Sequence, residues 1–549
     1  MMKTKKMKRC AALALAAVLA LSMTACGSSG DSSDTDGTAS AATTAEAGAS
    51  ADATTTASGG TFTFGCDYFS EYIDPSVNVN SAWSLVRFGV GETLFAFDED
   101  AVAQENLCDE ATTDDYITWT LHIRDGITFS NGKELTASAV VACWEMMYEK
   151  EAAGSSSAPS QYLPDPTFTA DDEAGTITVV CSDVTTNLKG ILAYPYFAVI
   201  DVDSYEEGVV DSVIGTGPYV LESYVEATSK TFVKNETYWN GEVPYDGYTA
   251  IYMTDSTTKA LAIQSGDVDV VENVTTASDL ETLKADSAYT VESTAGGRLA
   301  NTYFNFEGML GNEALRQAIQ YAIDDETMCN ITVGGIYTAG CSVLPSSMDF
   351  GYDQLTDPYE YDLDKAVEVL DEAGIVDTDG DGIREIDGEN INLVYLTFES
   401  RQLQTFAEAI ATVLNSIGIG VDYQVKDYDT ILGLQIAGDF DMVSSNAIIV
   451  PTGNPDAFLG NFYSGNSQDY GYYSNEEYDA AYEKLIVSTD ENEKMELYVE
   501  MQQILIDDAA TIVHGYYNSS ITYNNSVITG VKMYPLDYTW ITTDWAPVG

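Results

Sequence analysis

Positive charge is scarce in this sequence: 23 lysines and arginines stand against 87 aspartates and glutamates, a formal net charge of −64. Phosphate binding needs clustered Lys and Arg, so a surface of this sign excludes nucleic acid as a partner and repels anionic lipid headgroups. Histidine is scarcer still. His122 and His514 stand alone and far apart, with no Cys-x-x-Cys or Cys/His spacing to accompany them. A zinc site of ordinary spacing is thereby excluded, each histidine reads as structural, and a transition metal would arrive inside a chelator rather than on protein ligands. After the first 25 residues, no apolar run approaches the roughly 20 residues of a membrane-spanning helix. Catalytic signatures are missing too: there is no Gly-x-Ser-x-Gly elbow, His-Glu-x-x-His, Walker loop or Gly-x-Gly-x-x-Gly after a strand. Carboxylates are plentiful, but a glycosidase pair is defined by placement, which composition does not give. The chain reads as not an enzyme, with a carbohydrate-active enzyme as a minor alternative.

What is present begins with an export signal. Lys3 to Arg9 is basic, Ala11 to Leu21 is apolar, and the small residues Thr24 and Ala25 precede Cys26. The layout resembles the bacterial lipoprotein box, which makes residues 1–25 a signal peptide and Cys26 the acylated residue. Residues 26–60 are mostly Gly, Ser, Thr, Ala and Asp, a flexible linker unable to bury enough apolar surface to fold. The rest is globular: 45% of the chain is hydrophobic and 11% aromatic, enough for a large core. Beyond the signal's Cys10 and Cys26, six cysteines remain: Cys66, Cys108, Cys143, Cys181, Cys329 and Cys341. Export permits disulfides among them, and buried free thiols fit equally well.

Strands and amphipathic helices alternate without a repeat, a mixed α/β pattern. "TFTFGCDY" alternates as a strand. "YITWTLHIRDGITFSNGKELTASAVVACWEMMYEK" reads as a strand, an Asn-Gly turn and a helix capped near Thr136. Further on, "EALRQAIQYAI", "DLDKAVEVLDEAG" and "RQLQTFAEAIATVLNSIG" read as helices, and "TYFNFE", "INLVYLTF" and "GVDYQV" as strands.

Several segments together resemble the substrate-binding proteins of ABC importers in the peptide/nickel family (solute-binding family 5). They are Gly215-Thr216-Gly217-Pro218-Tyr219 with "FVKNETYWNG", "ALAIQSGDVDV", "TWTLHIRDGITFSNGKELTASAV", "ALRQAIQYAIDDE", "DLDKAVEVLDEAG" and "YYSNEEYDAAYEKL", in the family's order. In physical terms, Gly215 and Gly217 allow a positive-φ turn, Pro218 stiffens it, and Tyr238 and Trp239 are apolar fillers whose polar tips need partners. The resemblance implies a two-lobed periplasmic-binding-protein-like α/β fold with an extra subdomain in the first lobe and two hinge crossovers, closing on its ligand. Placed on this chain, the first lobe is 61–300 with a subdomain at about 95–212, the second is 301–514, and 515–549 returns to the first.

The resemblance also frames the ligand. Where the family's peptide binders carry an aspartate for the peptide amino terminus, "VPTGNPDAFL" places Pro451, which offers no carboxylate, with Thr452 and Asn454 beside it. "YLTFESRQLQTFAEAIATVLNSIGIGV" resembles the nickel and metal-chelate branch, in which an arginine at the position of Arg401 contacts ligand carboxylates. A guanidinium fork matches a carboxylate. Arg401 equally has Glu399 and Glu408 nearby in sequence, and a second candidate, Arg87, has Glu92. Trp83, Tyr303, Asn305, Tyr516 and Tyr517 either line a cleft near the crossovers or belong to the core. The run "DTDGDGIREIDG" sets Asp377, Asp379 and Asp381 at positions 1, 3 and 5 of a calcium loop, but Gly388 stands at position 12 where a glutamate is needed; it also reads as a plain acidic turn.

The resulting expectation is an exported lipoprotein, anchored by lipid alone to the outer face of the cytoplasmic membrane and monomeric. It captures a short peptide or a nickel or other metal chelate for permease and ATPase partners, and it requires no cofactor, with Ca2+ the one optional ion. A tethered sensor or chaperone of the same fold is the remaining alternative.

Overall fold

The computed structural model describes residues 59–66, 73–209, 212–466 and 470–549. The signal, Cys26 and most of the linker lie outside the described residues. No helix among those described is long and apolar enough to cross a membrane.

Eleven strands form one mixed sheet. Its middle consists of two long antiparallel strands, Tyr289–Phe304 and Thr511–Asn524, which belong to both halves of the sheet. On one side Thr511–Asn524 pairs with Val270–Glu272, and the sheet continues through Thr61–Cys66, Gly247–Tyr252, Ser229–Lys234 and Tyr219–Val225. On the other side Tyr289–Phe304 pairs with Met442–Ile448, followed by Asn392–Thr397 and Gly420–Val425. "TYFNFE" reads as a short strand; in the fold only its first three residues, Thr302 to Phe304, are strand, and they end a sixteen-residue one. Between the halves the ladder slips twice, at Ala295/Leu299 and at Ala300/Asn301. Irregular pairing of this kind bends a strand, and here Gly296 and Gly297 fall in the gap.

A separate four-stranded sheet holds Cys108–Thr113, Thr118–Ile123, Thr176–Val180 and Thr167–Asp171. The helix Ala137–Ala152 packs beside it and begins at Thr136, whose side chain accepts from the amide of Ala139. Other helix starts follow the same chemistry, with Asn78, Asn312 and Asp362 capping Val79–Arg87, Glu313–Ala322 and Leu363–Glu372. The six cysteines among the described residues form no disulfide with one another; five are buried and Cys341 is half-buried. Burial pushes the Cys143 and Cys329 thiols up to about 12.

The Gly-Thr-Gly-Pro-Tyr segment corrects its sequence reading. Neither Gly215 nor Gly217 has a positive φ. A Cβ at Gly215 would lie 2.1 Å from the Val90 carbonyl oxygen, and one at Gly217 would lie 2.3 Å from that of Gly89. Close backbone approach, not turn geometry, requires glycine here. The same region explains Glu92. This buried carboxylate accepts from Thr216 Oγ1 at 2.7 Å, Tyr238 Oη at 3.0 Å and Trp239 Nε1 at 2.9 Å. Burial holds its pKa above the ordinary carboxylate value despite the three donors. The polar tips of Tyr238 and Trp239 thus find their partner, and Glu92 is committed to them.

Candidate functional site

Arg87 ends the helix Val79–Arg87 and turns to the C-terminal segment, not to Glu92. Its Nε donates to the Asp537 carbonyl at 2.9 Å, Nη2 bonds the same carbonyl, and Nη2 lies 3.2 Å from the Asp537 carboxylate. The guanidinium sits 5.3 Å from the Trp540 ring and 6.0 Å from that of Trp83. Trp83 in turn packs on Tyr538 at 5.5 Å.

Two more arginines complete the cluster. Arg298 follows Gly296–Gly297 at the slipped register of the central strand, and its Nη1 donates to the Asn446 carbonyl at 3.1 Å. Asn446 Nδ2 donates to Tyr337 Oη at 3.1 Å, and Tyr337 Oη donates to the Arg401 carbonyl at 2.8 Å. The Arg401 guanidinium then lies 5.1 Å from the ring of Tyr517. Arg401 was expected within the first turn of a helix. Instead the helix spans Leu403–Ser416, and Arg401 and Gln402 both take left-handed backbone, with φ of 43° and 64°. Non-glycine residues in that region carry strain that the surroundings must hold, a feature that gathers at functional sites.

The electrostatics follow from the geometry. Burial pushes the Asp537 carboxyl up, but Arg87, Arg298 and Arg401 outweigh it and hold the pKa below the usual carboxylate value. Arg298 is lowered to about 10, first by burial and next by Arg401. Arg298 thus feels both Arg401 and Arg87, and all three arginines act on the Asp537 carboxyl, inside a chain of net charge −64. Guanidiniums held by protein carbonyls and rings in a partly desolvated place have the chemistry to pair with an anion.

Of the residues named from the sequence, the structure brings Arg87 and Trp83 to this cluster, with Arg401 and Tyr517 beside it. Three others lie in the interior. The Tyr303 ring packs on Phe462 and Tyr470, Asn305 Nδ2 donates to the Gly438 and Phe440 carbonyls, and Tyr516 Oη to those of Ser342 and Leu344. Thr452 and Asn454 form part of a clasp. Asn187 Nδ2 donates to the Thr452 carbonyl at 2.7 Å, Lys494 Nζ to Thr186 Oγ1 at 2.8 Å, and Tyr538 Oη to the Pro451 carbonyl at 3.2 Å. Asn454 Nδ2 donates to Asp456, which also accepts from Tyr498 and Lys494.

Arg298, Asp537, Tyr337 and Asn446 were missed. A signal existed for the first, since the chain has only seven arginines and three of them meet here. The histidines are structural as read: His122 pairs with Asp109 at 2.6 Å, and His514 is buried against Phe406, lowered to about 3 by burial. In the acidic run, Asp377 accepts from the amides of Gly380 and Gly382, and Asp381 from that of Ile383 and from Asn390. The carboxylates that draw together there are Asp377, Asp379 and Glu385, with oxygens within 4.8 Å of one another; Asp381 is not in the group.

Residues 103–470 match the model of the bacterial extracellular solute-binding proteins, family 5. Heme-binding protein A of Haemophilus influenzae is 26% identical over 78% of this chain and 80% of its own length. Dipeptide-binding protein DppE of Bacillus subtilis is 25% identical over 86% and 89%. Among solved structures, NikA from Brucella suis in complex with Fe(III)-EDTA superposes with a TM-score of 0.78 at 20% identity, covering 89% of this chain and 100% of that one. Bacillus subtilis AppA in complex with a nonapeptide superposes with a TM-score of 0.72 at 19% identity, over 90% and 100%. At such identities these two superpositions speak for the fold alone.

Proposed function

The chain belongs to the bacterial extracellular solute-binding proteins of family 5, and from that membership we propose that it captures a small carboxylate-bearing cargo at the arginine cluster. Family members are binding proteins that serve ABC importers, with peptides, heme, glutathione and nickel among the cargoes their names record. The observation that carries the reading is the Arg87–Asp537 pair at 3.2 Å, with Arg298 and Arg401 near enough to help lower the same carboxyl's pKa. A guanidinium offers a planar fork that matches a ligand carboxylate.

In this reading the two long central strands are the crossovers. Residues 61–300 and 515–549 make the first lobe, 301–514 the second, and closure brings Arg87 and Asp537 of the first towards Arg401 of the second, with Arg298 at the hinge. The segment 451–456 then acts as a latch on residues 186–187 rather than as a cargo anchor. Between a metal chelate and a short peptide, the cluster favours the more anionic cargo.

The chain itself is proposed to perform no chemistry on the cargo. A monomer anchored through Cys26 by lipid alone, at the outer face of the cytoplasmic membrane, would hand the cargo to permease and ATPase subunits. Calcium at the acidic loop is a separate proposal resting on the approach of Asp377, Asp379 and Glu385; titration with calcium in the presence and absence of Asp377→Asn tests it.

The deciding experiment is native mass spectrometry of the chain purified gently from rich medium, with metal content read on the same sample. A single small adduct lost in Arg401→Ala supports the reading. A ladder of masses spaced by amino-acid residues and indifferent to Arg401→Ala would replace it with peptide capture elsewhere.

A further inference from the structure

We infer, on the reading that Arg401 meets the cargo, that Tyr337 is its positioning residue: it fixes Arg401 at both ends, the main chain through a hydrogen bond and the guanidinium through the ring of Tyr517.

The local sequence works against the place that Arg401 occupies. A helical pattern runs through "RQLQTFAEAIATVLNSIG", and the easiest backbone for Arg401 and Gln402 would be a further turn of the helix Leu403–Ser416. Both residues instead take left-handed backbone, which is costly for any residue with a Cβ. Something outside the segment must hold them there. The Tyr337 hydroxyl donates to the Arg401 carbonyl at 2.8 Å, and its oxygen accepts from Asn446 Nδ2 at 3.1 Å. With Asn446 on the oxygen, the hydroxyl proton is left to point at Arg401. Tyr337 is 1% exposed, so water does not compete for the bond.

Tyr337 is itself held fast. The short strand Tyr337–Thr338 pairs with Tyr516 and Tyr517 of the long central strand Thr511–Asn524. Asn518 extends that pairing, its amide donating to the Ile336 carbonyl at 2.9 Å and its Nδ2 to that of Gly335 at 3.2 Å. The Tyr337 ring meets Tyr517 edge-on at 5.4 Å and Phe406 at 5.2 Å. Tyr517 carries the Arg401 guanidinium, and Phe406 belongs to the helix that Arg401 precedes. One side chain thus locates the arginine's main chain, the ring beside its guanidinium and the helix behind it, all against a strand shared by both halves of the sheet. Without the hydroxyl, Arg401 and Gln402 are free to continue the helix, and the guanidinium leaves Tyr517.

Phenylglyoxal labelling of the full chain without cargo, read at each arginine by peptide mass spectrometry, tests this hold directly. Tyr337→Phe keeps the ring and removes the hydroxyl. Arg401 is expected to label roughly three- to tenfold faster, the factor that one net hydrogen bond is worth. Arg384, which bonds Asp371, Ile375 and Ile417 instead, should keep its rate. An unchanged or slower rate at Arg401, or an equal rise at both arginines, would overturn the proposal. Calorimetry with citrate, a small tricarboxylate, reads the consequence for binding. Tyr337→Phe should weaken citrate by a similar factor while Arg401 is present, and by less than about twofold in the Arg401→Ala background. Equal weakening in both backgrounds would make Tyr337 a packing residue and overturn its positioning role. Citrate binding that Arg401→Ala leaves unchanged, or no citrate binding at all, counts against the cargo reading, and the labelling rates then decide the hold on Arg401 by themselves.

Discussion

Arg87 and Asp537 stand 450 positions apart in sequence, yet the guanidinium of one holds both the main-chain carbonyl and the carboxylate of the other. The arginine side chain is 4% exposed and the aspartate 14%. The pair fastens the C-terminal segment onto the helix Val79–Arg87 and fixes the first arginine of the cluster.

Removing the arginine takes the ion-pair partner from a buried carboxylate, while the Asp537 carbonyl keeps one donor, Trp540 Nε1 at 3.1 Å. Arg87→Met is therefore expected to cost about 3–5 kcal/mol of unfolding free energy. Urea denaturation of wild type and variant measures the difference, and a loss below about 1 kcal/mol would show that Arg298 and Arg401 compensate for the missing partner.

The same aspartate predicts a pH dependence. Its folded pKa lies below the unfolded value of about 3.9. A depressed carboxyl contributes stability that is fully present above the unfolded pKa and is lost as pH falls through the folded one. The stability gap between wild type and Asp537→Asn should thus be widest near neutral pH and close on acidification below about pH 4. Urea midpoints at several pH values follow it; a gap constant from pH 7 to pH 3 would deny the ionised pair.

Cargo binding should depend on the two other arginines. Charge-assisted hydrogen bonds contribute about 1.5–3 kcal/mol, so Arg401→Ala and Arg298→Ala should each weaken the cargo by roughly 10- to 150-fold. Arg401→Lys should recover only part of the loss, since an ammonium does not reproduce a planar fork. Calorimetry with the cargo identified by mass spectrometry gives these values. Unchanged affinity in both alanine variants would remove the cluster from the binding site.

How much of this was legible in the sequence depends on distance along the chain. The helix Ala137–Ala152 and its cap Thr136 could be read because a helical pattern and a capping side chain are local facts. Arg401 could be named because its segment resembles a known family's. Arg298 and Asp537 could not, because their role exists only where three distant parts of the chain meet. Trp239 shows the middle case: a partner for its indole nitrogen could be expected from its chemistry, but only the fold identifies Glu92, 147 positions away. The left-handed pair Arg401–Gln402 was hidden for the opposite reason. A helical pattern runs straight through it, and tertiary contact through Tyr337 overrides the local preference.

Gly215 offers a test of the corrected reading of its segment. If a positive φ were needed, alanine would be strained by its own backbone, and asparagine would be the tolerated replacement. Because the constraint is the Val90 carbonyl 2.1 Å from any Cβ, Gly215→Ala and Gly215→Asn should destabilise alike, by at least about 1–3 kcal/mol. Thermal and urea unfolding compare the two; recovery by asparagine alone would restore the turn explanation.

The clasp makes the last prediction. Asn187 Nδ2 reaches the Thr452 carbonyl at 2.7 Å and Thr452 Oγ1 at 3.2 Å, and Gly190 is a glycine because a Cβ there would meet the same carbonyl at 2.0 Å. If residues 186–190 and 451–456 belong to opposite lobes, these contacts exist only in the closed form, and they add to the closing equilibrium rather than to cargo recognition. Asn187→Ala removes about 1 kcal/mol of hydrogen bonding, so the closed fraction falls and cargo affinity with it, by roughly fivefold. Small-angle scattering without cargo should show a larger radius of gyration for the variant, while saturating cargo brings both proteins to one compact value. A variant equally compact without cargo, yet weaker in binding, would instead make Asn187 part of the cargo site.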